Sequence, residues 1–274
     1  MTDDQEGVDY SAITRKQQET WATGDFHEVA RQNVVMAEAV CEALELHATE
    51  RVLDVACGSG TAALVAARRY CDVTGVDYVP NLIERARAQA RASGLEADFR
   101  VGDAQDLPFD DDTFDAVVSV YGVQFAPDQA RAASEMLRVC RSGGRIGLAT
   151  PLPRGWSGDF FAVNAKYSPP PPPGVHPPLR WGTDQGIDEL LGSGVSAIRN
   201  EERVALQYYR SVDHAVSVFL TFFGPAIRAS ERLDEEAREE LADDLREVFE
   251  RYNRATDGTA VVENRYRLTV ATVA

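Results

Sequence analysis

The sequence predicts a doubly wound α/β protein, with a mainly parallel sheet of seven strands and helices on both of its faces. Strand-like and helical runs alternate from about residue 50 to 150, and this alternation is typical of a parallel sheet. The cores of the strand-like runs are apolar, as expected for strands that are buried on both faces. A glycine-bearing turn joins the first strand to a helix in RVLDVACGSGTAAL, residues 51–64. Together these observations indicate a Rossmann-like fold.

The core elements are predicted in order from their local patterns. The first strand is RVLDVA, and the helix that follows it is TAALVAARRY. The second strand is DVTGVD, and it precedes the helix NLIERARAQARAS, which Gly94 is expected to end. The third and fourth strands are ADFRVGDA and FDAVVSVYG. A further helix, DQARAASEMLRVC, leads to the fifth strand, GGRIGLAT.

The segments on either side of this core complete the predicted architecture. Residues 1–47 are predicted to form a helical lead-in that packs on the sheet, and residues 48–150 form the core. Residues 151–190, rich in proline, glycine and aromatic side chains, are predicted to form a lid insertion. Residues 191–274 contain two strand-like runs, SAIRNEERVALQYYR and RYRLTVATVA, with helical runs between them. These two strands would bring the sheet to seven.

The lid insertion contains five consecutive prolines, Pro169 to Pro173. Such a run is expected to form a stiff polyproline segment without internal hydrogen bonds. We favour a rigid spacer in a loop over the carboxyl edge of the sheet, while a ligand for the aromatic groove of another protein stays open. Several aromatic residues of the segments after the core are predicted to line a mainly apolar pocket. They are Trp156, Phe160, Phe161, Tyr167, Trp181, Tyr208 and Tyr209.

Composition excludes some classes of partner. The net charge of −16 argues against nucleic acid, because binding a phosphate backbone needs clustered Lys and Arg. The four cysteines are scattered without a C-x-x-C pair, which indicates reduced thiols in a cytoplasmic protein. The acidic start, MTDDQEGVDY, is unlike a secretory signal. No run reaches the ~18 to 20 apolar residues of a membrane span. We therefore expect a cytoplasmic monomer or homodimer.

Acidic residues stand at the ends of three successive predicted strands. Ligands of doubly wound sheets bind beyond the carboxyl ends of the strands. Asp77 follows Gly58 by 19 residues, close to the spacing of a carboxylate that accepts a ribose hydroxyl. Asp103 could accept from an adenine amino group, with Ala104 leaving room for the ring, and Asp54 suits a cationic group.

The turn itself suits an anionic group of the same ligand. Gly58 and Gly60 let the backbone approach a ligand closely. The helix that begins near Thr61 presents unpaired N–H groups, which could hold a carboxylate. An ammonium, a carboxylate, a ribose and an adenine together describe S-adenosylmethionine.

A dinucleotide is the competing ligand. Gly58-Ser-Gly60-Thr-Ala-Ala63 satisfies the G-x-G-x-x-G/A fingerprint of NAD-binding folds, so an NAD-dependent oxidoreductase stays open. That fingerprint begins with glycine directly after the strand, where this chain has Ala56. It also leaves Asp54 and Asp103 without a role. The methyl donor is therefore the favoured cofactor.

Four motifs carry a resemblance to a known family. VLDVACGSG, VTGVDYVP, GDAQDLPFDDDTFDAVVS and EMLRVCRSGGRIGLAT resemble successive motifs of class I S-adenosylmethionine-dependent methyltransferases. Within this family, the motifs most resemble those of the small-molecule group similar to ubiquinone/menaquinone-biosynthesis methyltransferases. The resemblance covers about residues 15 to 150. After the fourth strand this chain has YGVQFA where the lipoquinone enzymes show a GLRN-like stretch, which argues against a quinone acceptor.

The resemblance implies a set of cofactor-binding residues. Asp54, Ala56, Gly58 and Gly60 would line the methionine end, although Ala56 departs from the usual first glycine. Asp77 would bind the ribose, Tyr78 or Val79 would flank the adenine, and Asp103 and Ala104 would meet its edge. Ser119 would complete the set. The resemblance further implies methyl transfer to a small-molecule acceptor with release of S-adenosylhomocysteine, and the aromatic residues after the core indicate that this acceptor is aromatic or apolar.

The catalytic residues are less clearly marked. In-line methyl transfer depends mainly on positioning, which can be worth about 7 to 11 kcal/mol, and needs a base only if the acceptor must lose a proton early. His214, His176 and His27 are candidate bases, and Tyr121 is a candidate hydrogen-bonding orienter. Tyr121 and Gln124 follow the fourth strand, where the methyl group should emerge.

Two further expectations complete the sequence interpretation. No metal site is predicted, because the acidic run at residues 106–112 has no accompanying histidine or ligand spacing. A protein that binds S-adenosylmethionine without methylating, such as a cyclase or a sensor, stays open, because the acceptor site has no sequence signature.

Overall fold

A seven-stranded sheet organises residues 8–274, the part of the chain that the computed structural model describes. Its strands are β1 (Arg51–Val55), β2 (Asp72–Asp77), β3 (Asp98–Val101), β4 (Phe114–Val120), β5 (Cys140–Pro151), β6 (Val195–Tyr209) and β7 (Ala260–Val273). The spatial order is β3-β2-β1-β4-β5-β7-β6. Strands β1 to β5 pair in parallel, and β7 lies antiparallel between β5 and β6. The predicted Rossmann-like, mainly parallel sheet of seven strands is confirmed.

Eleven α-helices surround this sheet in the described part of the chain. They are α1 (Tyr10–Trp21), α2 (Phe26–Ala30), α3 (Val34–Ala43), α4 (Thr61–Ala67), α5 (Pro80–Ser93), α6 (Gln129–Val139), α7 (Gly155–Lys166), α8 (Asp184–Leu191), α9 (Val212–Phe222), α10 (Gly224–Ser230) and α11 (Glu235–Tyr252). One core cluster joins α3, α4 and α5 to the sheet, and another joins α6 and α8 to it. A third cluster, largely aromatic, joins α1, α7, α9, α10 and α11.

The third cluster lies at the carboxyl edge of the parallel strands. It contains Val79, directly after β2, and Tyr209, at the end of β6. Val262 also belongs to it, because β7 runs antiparallel and therefore starts at this edge. Helices from both ends of the chain thus meet where the parallel strands end.

Local chemistry explains the elements that hold this edge. Pro80 begins α5, where its fixed φ suits the first helical turn. Gly94 ends α5 in the left-handed conformation, with φ 63°, as the sequence predicted. In the register of β1 and β2, Asp54 lies opposite Gly75, and Asp77 lies opposite Val101 of β3. The predicted aspartates are therefore brought to one edge by adjacent strands.

Some elements were not evident from the sequence. The lid segment 151–190 contains two α-helices, α7 and α8, while Pro169–Pro173 has neither helix nor strand. Helix α7 begins at Gly155 without a side-chain cap on its first turn, so the usual start signal is missing. The two ends of the lead-in also pack in different places. Helix α3 packs on the sheet, as predicted, whereas Trp21 of α1 belongs to the third cluster. The prediction for residues 1–7 lies outside the described residues.

Candidate cofactor and acceptor site

The turn between β1 and α4 is held in an unusual backbone conformation. Ala56, Gly58 and Gly60 all have positive φ, at 54°, 53° and 85°. A Cβ on Gly60 would lie 2.9 Å from the ring of Phe99, so this glycine serves packing against β3. A Cβ on Gly58 would meet only the ring of Phe26, at 4.0 Å. Gly58 therefore faces open space, and Gly60 faces the protein interior.

Asp77 ties this turn to the end of β2. Its Oδ2 accepts a hydrogen bond from the backbone N–H of Gly58 at 2.9 Å, and its Oδ1 accepts one from Val79 at 2.9 Å. Burial raises the pKa of Asp77 to about 6, and the two hydrogen bonds oppose that rise. The carboxylate is thus held rigidly, and its remaining lone pairs are free for a ligand hydroxyl.

Asp54 is the second buried carboxylate at this edge. Its Oδ2 accepts a hydrogen bond from the N–H of Ala63, in the first turn of α4, at 2.8 Å. Burial raises the pKa of Asp54 to about 7, and the charge of Asp77 adds to the rise. Within residues 8–274, no basic side chain forms an ion pair with either aspartate. The two carboxylates therefore create negative potential that a cationic ligand would neutralise.

A cavity of about 600 Å³, counted with its open mouth, lies over these strand ends. It is lined by Trp21, Phe26, Ala56, Gly58, Asp77, Tyr78, Val79, Leu82, Gly102, Asp103, Ala104, Tyr121, Gly122, Val123, Phe125, Ala126 and Pro127. We call it the outer cavity. Asp54 lies in an adjoining small cavity with Ala56, Gly58 and Thr61. Eight of the ten predicted cofactor residues therefore line these connected spaces.

The other two predicted residues lie behind the cavity wall. Gly60 packs against Phe99, as described above. Ser119 donates a hydrogen bond from Oγ to the carbonyl of Val55 at 2.7 Å and accepts one from the N–H of Val123 at 2.9 Å. Ser119 thereby joins the ends of β1 and β4. Ser119 therefore supports the site indirectly, through its hydrogen bonds to the residues that follow β4 and end β1.

The lead-in covers the outer cavity from the side of Asp103. Oδ1 of Asp103 accepts from the backbone N–H of Gln105 at 2.9 Å. Nε2 of Gln105 donates to Asp103 at 3.0 Å and to Oγ1 of Thr14 in α1 at 2.9 Å. Gln18 of the same helix donates to the carbonyl of Tyr78. Helix α1 is therefore fastened to two strand ends that line the cavity.

A second cavity lies deeper, within the aromatic cluster. It measures about 430 Å³ with its opening and is lined by Phe26, Val29, Asn33, Tyr121, Phe125, Trp156, Phe160, Phe161, Gln207, Phe219, Phe223 and Asn264. We call it the inner cavity. Phe26, Tyr121 and Phe125 line both the inner and the outer cavity. The inner cavity thus opens next to the predicted methionine end of the cofactor.

Tyr121 is the candidate catalytic residue that the fold brings to this junction. Its backbone has φ 51°, which turns the chain after β4. Its hydroxyl donates to Oδ1 of Asn264 at 3.2 Å and lies 3.5 Å from Oγ of Ser157. Burial raises the pKa of Tyr121 to about 12, so the hydroxyl stays protonated at neutral pH. Gln124 is buried nearby, outside the lining of both cavities.

The three candidate histidines lie outside the outer and inner cavities. Nδ1 of His27 is 3.0 Å from Oγ of Ser59, on the far side of the glycine turn, and burial lowers its pKa. Nδ1 of His214 accepts from the backbone N–H of Arg210 at 3.2 Å, beside a separate open groove. His176 is exposed in the loop after the prolines.

Several lining residues were missed by sequence reasoning. Trp21 and Phe26 come from the lead-in, Asn33 precedes α3, and Gln207 and Asn264 lie on the last two strands. For Gln207, a polar residue inside the predicted strand SAIRNEERVALQYYR was the available signal, whereas Asn264 precedes the predicted last strand. Nothing in the local sequence indicates which cavity such a residue faces.

Residues 8–274 contain no group of three or more His, Cys, Asp and Glu side chains arranged to hold a metal ion. No helix in the same part of the chain is long and apolar enough to cross a membrane.

Known proteins provide an independent comparison. Residues 53–148 match a family described as a methyltransferase domain. The chain is 34% identical over 277 residues to an uncharacterised protein of Mycobacterium tuberculosis, covering 99% of each. It is 40% identical over 131 residues to the demethylmenaquinone methyltransferase of Deinococcus radiodurans, covering 47% of this chain and 54% of that one. The crystal structure of YcgJ from Bacillus subtilis shares the fold, with TM-score 0.59 and 20% identity, covering 87% of this chain and 98% of that one.

Proposed function

The chain belongs to the class I S-adenosylmethionine-dependent methyltransferases, and on that premise we propose that it methylates a small apolar acceptor and releases S-adenosylhomocysteine. The observation that carries the proposal is the pair of buried carboxylates, Asp54 and Asp77, beside the glycine turn. Their negative potential suits a cofactor with a cationic methionine end, whereas the pyrophosphate of NAD would be repelled. Methyltransferases of this type generally use S-adenosylmethionine.

Each end of the cofactor has residues that fit it. The carboxylate of Asp77 would accept from the ribose hydroxyls, and Asp54 would attract the ammonium group. Gly58 leaves space for the methionine end because it has no Cβ. Tyr78 and Val79 would flank the adenine, and Asp103 would accept from its amino group. When bound, the cofactor supplies an activated methyl group on a sulfonium.

The inner cavity would hold the acceptor. Its mainly aromatic lining favours an apolar molecule. Tyr121 supports this arrangement because it borders both cavities, and its protonated hydroxyl orients Asn264 through a hydrogen bond. We assign Tyr121 as a positioning residue and assign no base to His27, His176 or His214. Rate enhancement would come mainly from holding donor and acceptor in near-attack geometry.

We further propose that segments from both sides of the core close the site. Residues 1–47 would cap the cofactor, because Trp21 and Phe26 line the outer cavity. Residues 151–190 would cover the acceptor, because Trp156 and Phe160 line the inner one. The core at 48–150 would bind the cofactor, and residues 191–274 would complete the sheet.

Calorimetric titration and product analysis test this function. We expect binding of S-adenosylmethionine and S-adenosylhomocysteine, and no binding of NAD at the same concentration. Formation of S-adenosylhomocysteine is then followed by mass spectrometry with a panel of small aromatic acceptors. Binding of NAD alone would identify an oxidoreductase instead. Cofactor binding without S-adenosylhomocysteine formation from any acceptor would favour the non-methylating alternative, a cyclase or a sensor.

A further inference from the structure

Two residues that line the inner cavity each carry a buried hydrogen-bond donor without an acceptor. These donors are Nδ2 of Asn264 and Nε1 of Trp156, and neither atom finds a partner within residues 8–274. Asn264 is 0% exposed and Trp156 is 4% exposed. A buried donor that stays unpaired costs free energy, and such groups in folded proteins call for an explanation. A bound molecule with an acceptor oxygen would pair them.

The other polar atoms of Asn264 show why its amide is oriented this way. Oδ1 accepts from the hydroxyl of Tyr121 at 3.2 Å and from Oγ of Ser157 at 3.0 Å. With both hydroxyls donating to Oδ1, the Nδ2 end is left to face other groups. Tyr121 borders the outer cavity, so Asn264 lies one hydrogen bond from the junction of the two cavities.

The inner cavity also lacks a charge that could balance an ionic ligand. Among its twelve described lining residues there is no carboxylate, imidazole, ammonium or guanidinium, and Tyr121 is the one ionisable group. Burying an unpaired charge in such surroundings is costly. The ligand that enters must therefore be uncharged. The rings of Phe160, Phe219 and Phe223, with centroids 4.8 to 5.8 Å apart, favour an aromatic body.

We propose that the inner cavity binds an uncharged phenol or enol, whose oxygen accepts hydrogen bonds from Asn264 and Trp156 and is the atom that becomes methylated. This inference rests on the proposed function. In the transfer, a bond forms between that oxygen and the methyl carbon. The carbon–sulfur bond breaks with its electron pair staying on sulfur, and the hydroxyl proton passes to water.

The described lining of the inner cavity contains no base. The acceptor must therefore be acidic enough to lose its proton without one. A phenol such as tyrosine has a pKa of about 10, several orders of magnitude more acidic than water at about 15.7. Burial would raise the pKa of a bound phenol, as it does that of Tyr121, and the N–H donors of Asn264 and Trp156 would oppose this rise by stabilising the developing oxyanion. A phenol or enol can therefore lose its proton without a protein base, whereas an aliphatic alcohol would need one.

Binding of three shape-matched probes tests the recognition. With S-adenosylhomocysteine present, the affinities of 4-butylphenol, butylbenzene and 4-butylbenzoate are measured by calorimetry. We expect 4-butylphenol to bind about tenfold more tightly than butylbenzene, because its oxygen pairs the buried donors, and 4-butylbenzoate to bind more weakly than both. Equal affinity for the phenol and butylbenzene, tighter binding of the carboxylate, or no binding of any probe would each overturn the inference.

Matched tryptophan variants locate the donor. Trp156→Phe removes Nε1 and keeps a ring to stack on Phe160, and it should reduce the preference for 4-butylphenol at least threefold. Trp181→Phe is the control, because Trp181 is also buried with an unpartnered Nε1 within the described residues but packs in the cluster of α6 and α8. Asn264→Leu should reduce the preference in the same way. A preference that both Trp156→Phe and Asn264→Leu leave unchanged would contradict the inference.

The cofactor serves as the reference for the proposed function. S-adenosylhomocysteine is titrated first into each variant, since Asn264 and Trp156 line only the inner cavity. Unchanged cofactor affinity with a lost phenol preference supports the inference. Native protein that fails to bind S-adenosylhomocysteine would refute the proposed function itself. A failure of the phenol test alone leaves cofactor binding and methyl transfer to another acceptor intact.

Discussion

The substitution Asp77→Asn is expected to weaken cofactor binding much more than it changes the free energy of unfolding. The carboxylate of Asp77 accepts backbone hydrogen bonds from Gly58 and Val79, and its remaining lone pairs would accept from the ribose in the proposed complex. An asparagine has one acceptor oxygen, so it can keep one backbone hydrogen bond while its NH₂ group faces the other N–H. The loss of that hydrogen bond should cost about 1 to 3 kcal/mol.

A second effect of Asp77→Asn opposes this loss. Burial raises the pKa of Asp77 from its ordinary value of 3.8 to about 6, so at pH 7 ionisation of the native side chain costs the folded state about 3 kcal/mol. Asparagine removes that cost. The cost is present above about pH 6 and vanishes below pH 3.8, so the variant should be least stable relative to the native protein in acid. At pH 7 the net change in unfolding free energy should stay within about 2 kcal/mol.

Cofactor binding has no such compensation. If Asp77 binds the ribose as proposed, one charge-assisted hydrogen bond to a ribose hydroxyl would be lost and another weakened, which together would cost about 3 kcal/mol, or about 100-fold in affinity. Calorimetry with S-adenosylhomocysteine measures the affinity, and urea unfolding measures the stability. Affinity within threefold of the native protein, at unchanged stability, would refute the assignment of Asp77 to the ribose.

Asp115→Asn is the matched control for this experiment. Asp115 also accepts a backbone hydrogen bond, from the N–H of Arg51 at 2.8 Å, but at the amino edge of the sheet. Its substitution should leave cofactor affinity unchanged. Asp77→Ala is the poorer variant. It would leave the N–H groups of both Gly58 and Val79 unpaired and confuse a loss of folding with a loss of binding.

Three further predictions concern the rest of the site. Because the pKa of Asp54 is raised to about 7 and its ionised form would bind the ammonium, affinity for S-adenosylhomocysteine should fall about fivefold between pH 7 and pH 6, and calorimetry of Asp54→Asn should show a flatter profile. Gly60→Ala should lower the unfolding free energy in urea by about 2 to 4 kcal/mol, since its Cβ would meet Phe99 at φ 85°. Gly58→Ala, with open space, should lose less stability and more cofactor affinity, and equal effects would contradict the different roles of the glycines. His214→Ala should keep turnover within about twofold, because His214 lies outside both cavities, and a larger loss would return it to the list of bases.

The predicted strands and most helices were confirmed because their signals are local. Gly94 ended a helix as expected, and the acidic strand ends came together, because parallel neighbours bring their carboxyl ends to one edge. Helices α7 and α8 were not evident, because the start of α7 has no side-chain cap and glycine and proline dominate the surrounding composition. The different roles of Gly58 and Gly60 were also not evident from the sequence. It depends on Phe99, a residue some 40 positions away in the chain.

The sequence by itself determined the doubly wound sheet, the glycine turn and the succession of Asp54, Asp77 and Asp103, because each lies within one strand-turn-helix unit. Only the tertiary structure decided the inner cavity. Tyr121 follows β4, whereas Asn264 lies 143 residues later, and they meet because β7 runs antiparallel between β5 and β6. That reversal brings the start of β7, with Asn264, to the carboxyl edge of the parallel strands. Contacts set by the packing of distant strands leave no periodicity or spacing in the sequence that could have revealed them.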